Sequence, residues 1–187
     1  MDRGIDFVRS QVNNAVMQHD TLLRSLVDHE GQAEDARFRD LCSRHIPQMR
    51  EHQRMLEEFQ REIGDGQGGR DGNMLENVGG TLKKMAGQAL GVAKDLADAP
   101  RQSDYLRLVS DIVMARQSED TFKTFREGGK ALGIQRLAQI GEVGERHQDE
   151  YVKEANRLIQ QMFVEHARGA EHVIVSTTTS QPNLGSL

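Results

Sequence analysis

Six polar residues stand where apolar ones are due. Along four long stretches of the 187-residue chain, apolar residues recur at alternating spacings of three and four. Continuing each series through its gaps lands on His19, then His45, Gln48 and His52, then Glu119, then His147. Imidazole offers a neutral nitrogen and carboxylate a hard oxygen, so such residues aimed into a bundle from facing helices can build a metal site. The plainer reading is a hydrogen-bonded polar layer that fixes how the helices register. His19 and His45 each stand about 13 residues from the link between the first two stretches, and Glu119 and His147 each 14 from Gly133. Equal distances from a turn put each pair at one level of its hairpin. If the connection over 64–101 crosses the length of the bundle, both pairs share one layer. The predicted ligand set is therefore His19, His45, His52, Glu119 and His147, and histidine-rich ligation favours iron, zinc, nickel or copper over magnesium or calcium. His29 and His166 fall near helix ends and His172 in the tail, where solvation is expected. Pro47, between His45 and Gln48, frees the carbonyl of Ser43 and predicts a bend beside the layer.

The elements that must position these residues are helical. Ile5, Val8, Val12, Ala15, Leu22 and Leu26 make the first seam, ending near Gly31; Phe38, Leu41, Met55, Phe59 and Ile63 make the second, closed by Gly64. Tyr105, Leu108, Ile112, Ala115 and Phe122 carry the third from about Ser103 to the Ala131-Leu132-Gly133 stop. Leu137, Ile140, Tyr151, Leu158 and Met162 carry the fourth to about Gly169. Short links make the members of each pair antiparallel neighbours. Between the pairs, the glycine-rich run Gly64 to Asn73 leads into a shorter amphipathic segment from Leu75 to Leu96. The expected architecture is all-α: an antiparallel four-helix bundle over 1–168 with a long crossover at 64–101, followed by a flexible tail at 169–187.

Composition narrows the use of such a bundle. A net charge of −5, spread as interleaved Arg and Glu, leaves no basic stripe for nucleic acid. No window approaches the roughly 18 apolar residues of a membrane span. Cys42 is the lone cysteine, so no intrachain disulfide can form, which suits a reducing, cytoplasmic setting. Nucleophilic catalysis has no foothold, because Cys42 falls on an apolar face and no glycine-framed serine or phosphate loop is present.

Two antiparallel hairpins joined by a crossover that carries a short helix resemble the ferritin-like superfamily, nearest the small bacterial YciE/YciF-type stress proteins. The resemblance rests on His19-Asp20-Thr21-Leu22-Leu23-Arg24-Ser25-Leu26, Glu51-His52, Met74-Leu75-Glu76 and Lys130-Ala131-Leu132-Gly133, over about residues 5–168. It implies a dimer and a di-metal pattern: a carboxylate in the first helix, Glu-x-x-His in the second, Glu in the third, Glu-x-x-His in the fourth. His19 or Asp20 then falls at the first position, His52 and His147 match the histidines, and Glu119 matches the third-helix carboxylate. Met49 and Gly144 stand where the two motif glutamates belong. A bridged iron pair lacks those anions here, so ferroxidase chemistry is not expected.

The expectation is a ferritin-like stress protein that binds one transition-metal ion without a committed catalytic cycle. The alternative is a non-enzymatic bundle that acts by association, as a homodimer, with a metal-free polar layer. The chain ends in Leu184-Gly185-Ser186-Leu187 after a Ser/Thr-rich spacer. That ending resembles the C-terminal loading peptides by which ferritin-like cargo enters encapsulin shells, and it implies such a shell as partner.

Overall fold

The computed structural model describes residues 3–64 and 100–178, the side chains of 3, 100–103 and 169–178 aside. Four helices make up this part: α1 Arg3–Gln32, α2 Ala36–Gly64, α3 Pro100–Leu132 and α4 Gln135–Thr178. No strand occurs among the described residues. The amphipathic crossover segment Leu75 to Leu96 and the terminal Leu184 to Leu187 lie outside them.

Local chemistry sets the helix ends. Asp35 caps α2, its Oδ1 accepting the Arg37 amide at 2.8 Å. Gly133, with φ of 69°, closes α3, and the Ile134 amide reaches back to the Gly129 carbonyl at 2.8 Å while that of Gly133 reaches Lys130 at 3.3 Å. A left-handed residue followed by these two bonds is the Schellman stop that Ala131-Leu132-Gly133 predicts. α2 runs through Pro47 as one helix. α4 continues nine residues past the expected boundary at Gly169, so Val173-Ile174-Val175 extend a helix instead of starting a mobile tail. Their β-branched preference is weak beside the momentum of a helix already formed.

Cross-links fix the topology. On one side Arg37 pairs with Glu165, Arg44 with Glu154 and Arg136 with Glu58, so α2 and α4 run antiparallel. On the other, Glu34 meets Asp104, Ser25 meets Asp111 and His19 meets Ser118, so α1 and α3 do too. Each helix thus packs on two antiparallel neighbours, and α2 and α3 lie on a diagonal, parallel to each other. Arg9 donates to the Ile63 carbonyl at 2.8 Å, which puts the end of α2 beside the start of α1. α3, by contrast, begins at the α1–α2 turn. The chain therefore leaves the bundle at one end and re-enters at the other, about 40 Å away over the 29 residues of α2. The long crossover follows from this arrangement.

Buried Asp104 holds the turn directly, accepting the amides of Glu34 at 2.7 Å and Asp35 at 2.8 Å. Within the second hairpin the backbones approach closely at Gly129 and Gly141. A methyl group on Gly141 would overlap the Arg126 nitrogen and the Phe122 carbonyl oxygen. The core is divided. Leu22, Leu26, Phe38, Leu41, Tyr151 and Leu158 belong to one apolar cluster. Val12, Leu56, Phe59, Phe122 and Ile140 belong to another. Between them lies a polar layer.

Candidate functional site

The layer begins with His19 on α1, buried against α2 and α3. Its Nε2 lies 2.9 Å from the Met49 carbonyl oxygen, and its Nδ1 lies 3.3 Å from Ser118 Oγ. A carbonyl only accepts, so Nε2 carries the proton and Nδ1 accepts the Ser118 hydroxyl. Gln148 Nε2 in turn donates to Ser118 Oγ at 3.2 Å and approaches Met49 Sδ at 3.3 Å. Every donor in this chain, from α4 through α3 and α1 to α2, has an acceptor. Burial draws the His19 pKa down to about 4, outweighing the Met49 hydrogen bond and the nearby Asp20. His19 is accordingly neutral, and both its nitrogens are spent.

The α2–α4 side differs. His52, fully buried, shares a hydrogen bond of 2.8 Å between its Nε2 and Nδ1 of His147. The two rings lie nearly parallel, 19° apart with centroids at 5.0 Å, while Phe122 and His19 stand 5.3 Å away. His147 is half-buried. Were His147 the donor, His52 would carry its proton on Nδ1 as a buried N–H with no acceptor, so the arrangement that avoids this has His52 donating from Nε2 and His147 accepting at Nδ1. His52 Nδ1 has no hydrogen-bond partner. Burial lowers the His52 pKa to about 2, and His19 and His147 push in the same direction. Burial, then Arg146, lowers that of His147.

Three of the five predicted ligands, His19, His52 and His147, thus share the layer. His45 and Glu119 do not. His45 is buried at another level, its Nδ1 at 3.0 Å from Gln48 Oε1, its Nε2 at 3.6 Å from Glu154 and its ring edge-on to Tyr151. The expected pairing of His19 with His45 left the three-residue link out of the count. Thirteen residues before the end of α1 is His19, but thirteen after the start of α2 is Met49. Glu119 is half-buried beside Asp149, and burial first, then that neighbour, raises its pKa. Ser118 takes the inward place. Among the described residues, no three His, Cys, Asp or Glu side chains converge to hold a metal ion.

The positions of the missing glutamates are filled. A side chain on Gly144 would run into the Phe122 ring, and Met49 is fully buried in the layer. A carboxylate-bridged pair of metals does not fit these residues.

A second polar cluster escaped the sequence reading. Asp111, fully buried on α3, accepts Ser25 Oγ–H and lies 2.7 Å from His29 Nδ1. His29 is only 14% exposed and so is not solvated as expected. Burial raises the Asp111 pKa, against the pull of His29. His166 is half-buried, edge-on to Tyr105. Cys42 is buried, and desolvation pushes its thiol well above the usual range, as befits an inert core residue. No described helix is long and apolar enough to cross a membrane. No family model matches the chain, nor does any curated protein or solved structure, so the geometry of the layer is what speaks to its use.

Proposed function

We propose that the chain is a ferritin-like bundle that holds one transition-metal ion on the α2–α4 side of its histidine layer, without a catalytic cycle. The observation that carries this reading is His52 Nδ1, a nitrogen in the dry core with nothing to meet it. An unmet buried polar atom costs on the order of 1–3 kcal/mol, which a bound cation offsets. The single long crossover between two antiparallel hairpins supports the superfamily assignment, and with it a role in stress response. His19 belongs to the scaffold: its chain of hydrogen bonds through Ser118 and Gln148 sets the register of all four helices.

Elemental analysis of protein purified without a histidine tag tests this. After reconstitution with iron, zinc, nickel or copper, roughly one equivalent and a raised Tm are expected, both lost in His52→Gln. Less than about a tenth of an equivalent of every metal would leave only the association reading, a metal-free bundle.

Exposed Phe7, Val113, Leu132 and Phe163 support association, for which a two-fold homodimer is the commonest form. The lone, buried Cys42 suits a cytoplasmic setting. The ending Leu184-Gly185-Ser186-Leu187 supports capture by an encapsulin-type shell. Co-expression with such a shell is expected to retain the intact chain and lose one ending at Ser180; equal recovery of both would end that reading.

A further inference from the structure

We infer that the α2–α4 side of the layer is built for copper(I), a soft monovalent ion, held by His52 Nδ1 and Met49 Sδ. This rests on the metal-binding reading above and narrows it to one ion and one pair of donors.

Met49 and His52 are three residues apart, so they share a face of α2, and both are fully buried. Gln148, next to His147, donates its Nε2–H to the thioether at 3.3 Å, which places Met49 Sδ in the same layer as the imidazoles and uses one of its two lone pairs. The thioether is a soft donor that selects copper(I), whereas imidazole serves zinc, iron, nickel and copper alike, so the sulfur decides the ion.

Charge points the same way. The penalty for taking an ion out of water grows as the square of its charge, and anions must offset it. Glu119 stands beside Asp149 outside the layer, and Phe122 fills the space over Gly144. The carboxylates that act on His147, Glu150 and Glu51, are exposed. A monovalent ion suits these neutral donors, whereas a divalent one would be left uncompensated.

His147 is a positioning residue. By accepting the His52 Nε2–H at 2.8 Å, it fixes the ring and leaves the Nδ1 lone pair bare, as outer partners of metal-bound imidazoles do. Its half-exposure also places the layer one ring from solvent. The ion binds as copper(I) and stays so; no electron moves.

The test is an anaerobic titration of the full, untagged chain with copper(I) held by bathocuproine disulfonate, alongside zinc, iron(II) and nickel(II). One copper(I) should leave the chelator for the protein. Met49→Leu keeps the side-chain volume and the backbone carbonyl that His19 uses. It should weaken binding by more than about a hundredfold, beyond the loss of an outer partner, and remove the sulfur signal from the X-ray absorption spectrum. Cys42→Ser should change nothing. Equal copper(I) affinity in Met49→Leu, or loss in Cys42→Ser, overturns the inference. So does uptake of zinc, iron or nickel through His52 without copper(I), and the broader metal reading then survives. Uptake of no ion at all overturns both. If His52→Gln fails to fold, the Met49→Leu comparison decides alone.

Discussion

Gly141→Ala is expected to lower the unfolding free energy by about 3 kcal/mol or more, at the upper end of what overpacking does. The new methyl meets backbone on both sides, the Arg126 nitrogen and the Phe122 carbonyl oxygen, and backbone inside a helix cannot rotate away as a side chain can. Relief requires α3 and α4 to part, which loosens the hairpin that carries Phe122, Ser118 and Gln148. Gly128 is the internal control. Nothing lies within 4 Å of a methyl there, so Gly128→Ala should stabilise by roughly 0.5–1 kcal/mol through helix propensity alone. Urea denaturation of the two variants makes the comparison. Equal stability would mean that the helices do not approach as closely as described.

The second large effect is acid lability of the metal-free protein. His19 and His52, at about 4 and about 2, are neutral in the folded state well below 6.5, where they take up protons in the unfolded chain. For a base whose folded pKa is depressed, the unfolded state binds more protons across that window, so stability rises with pH and falls as acid is added. Two such groups give a limiting slope of about 3 kcal/mol per pH unit below 6.5, and the lowered His147 adds to it. Asp111 acts in the opposite sense. Its folded pKa is raised, so it takes up a proton earlier in the folded state and returns some stability at lower pH. The window to measure is pH 6.5 to about 5, above the ordinary carboxylate range, where the raised Asp111 and Glu119 oppose the histidines and flatten the slope without reversing its cause. Unfolding free energies measured across it should still fall. A flat profile, or one unchanged in a His19→Gln, His52→Gln double variant, would show that these imidazoles are not held neutral.

The helices and their stops were legible because the cues are local: a three-four seam, an aspartate before α2, a glycine after α3. The layer was only half legible, and the reason is arithmetic. Between Ala115 and Phe122 the seam can step three then four or four then three, through Ser118 or Glu119. Between Gly144 and Tyr151 it can pass through His147 or Gln148. Periodicity is blind to that choice, and chemical interest favoured the charged residue and the imidazole, whereas packing buries Ser118 and Gln148. Asp104 and Asp111 are ordinary aspartates until one sees what they face. His29 looked terminal because its helix ends nearby, but α3 lies alongside that end and supplies a carboxylate. Counting levels from each helix end, instead of from one point in the turn, would have paired His19 with the Met49 level.

The carboxylate of Asp104 also bears on the order in which the chain folds. Each hairpin closes through a link of two or three residues and can form early, because its contacts are near in sequence. Joining the hairpins is the slow part, since Asp104 and the Glu34 amide are 70 positions apart and the intervening chain must be drawn closed. A half-docked encounter strips water from that carboxylate before the two amides are in reach, and so sits uphill of both the separated and the joined forms. Asp104 thus works as a latch, satisfied only once the two hairpins have met.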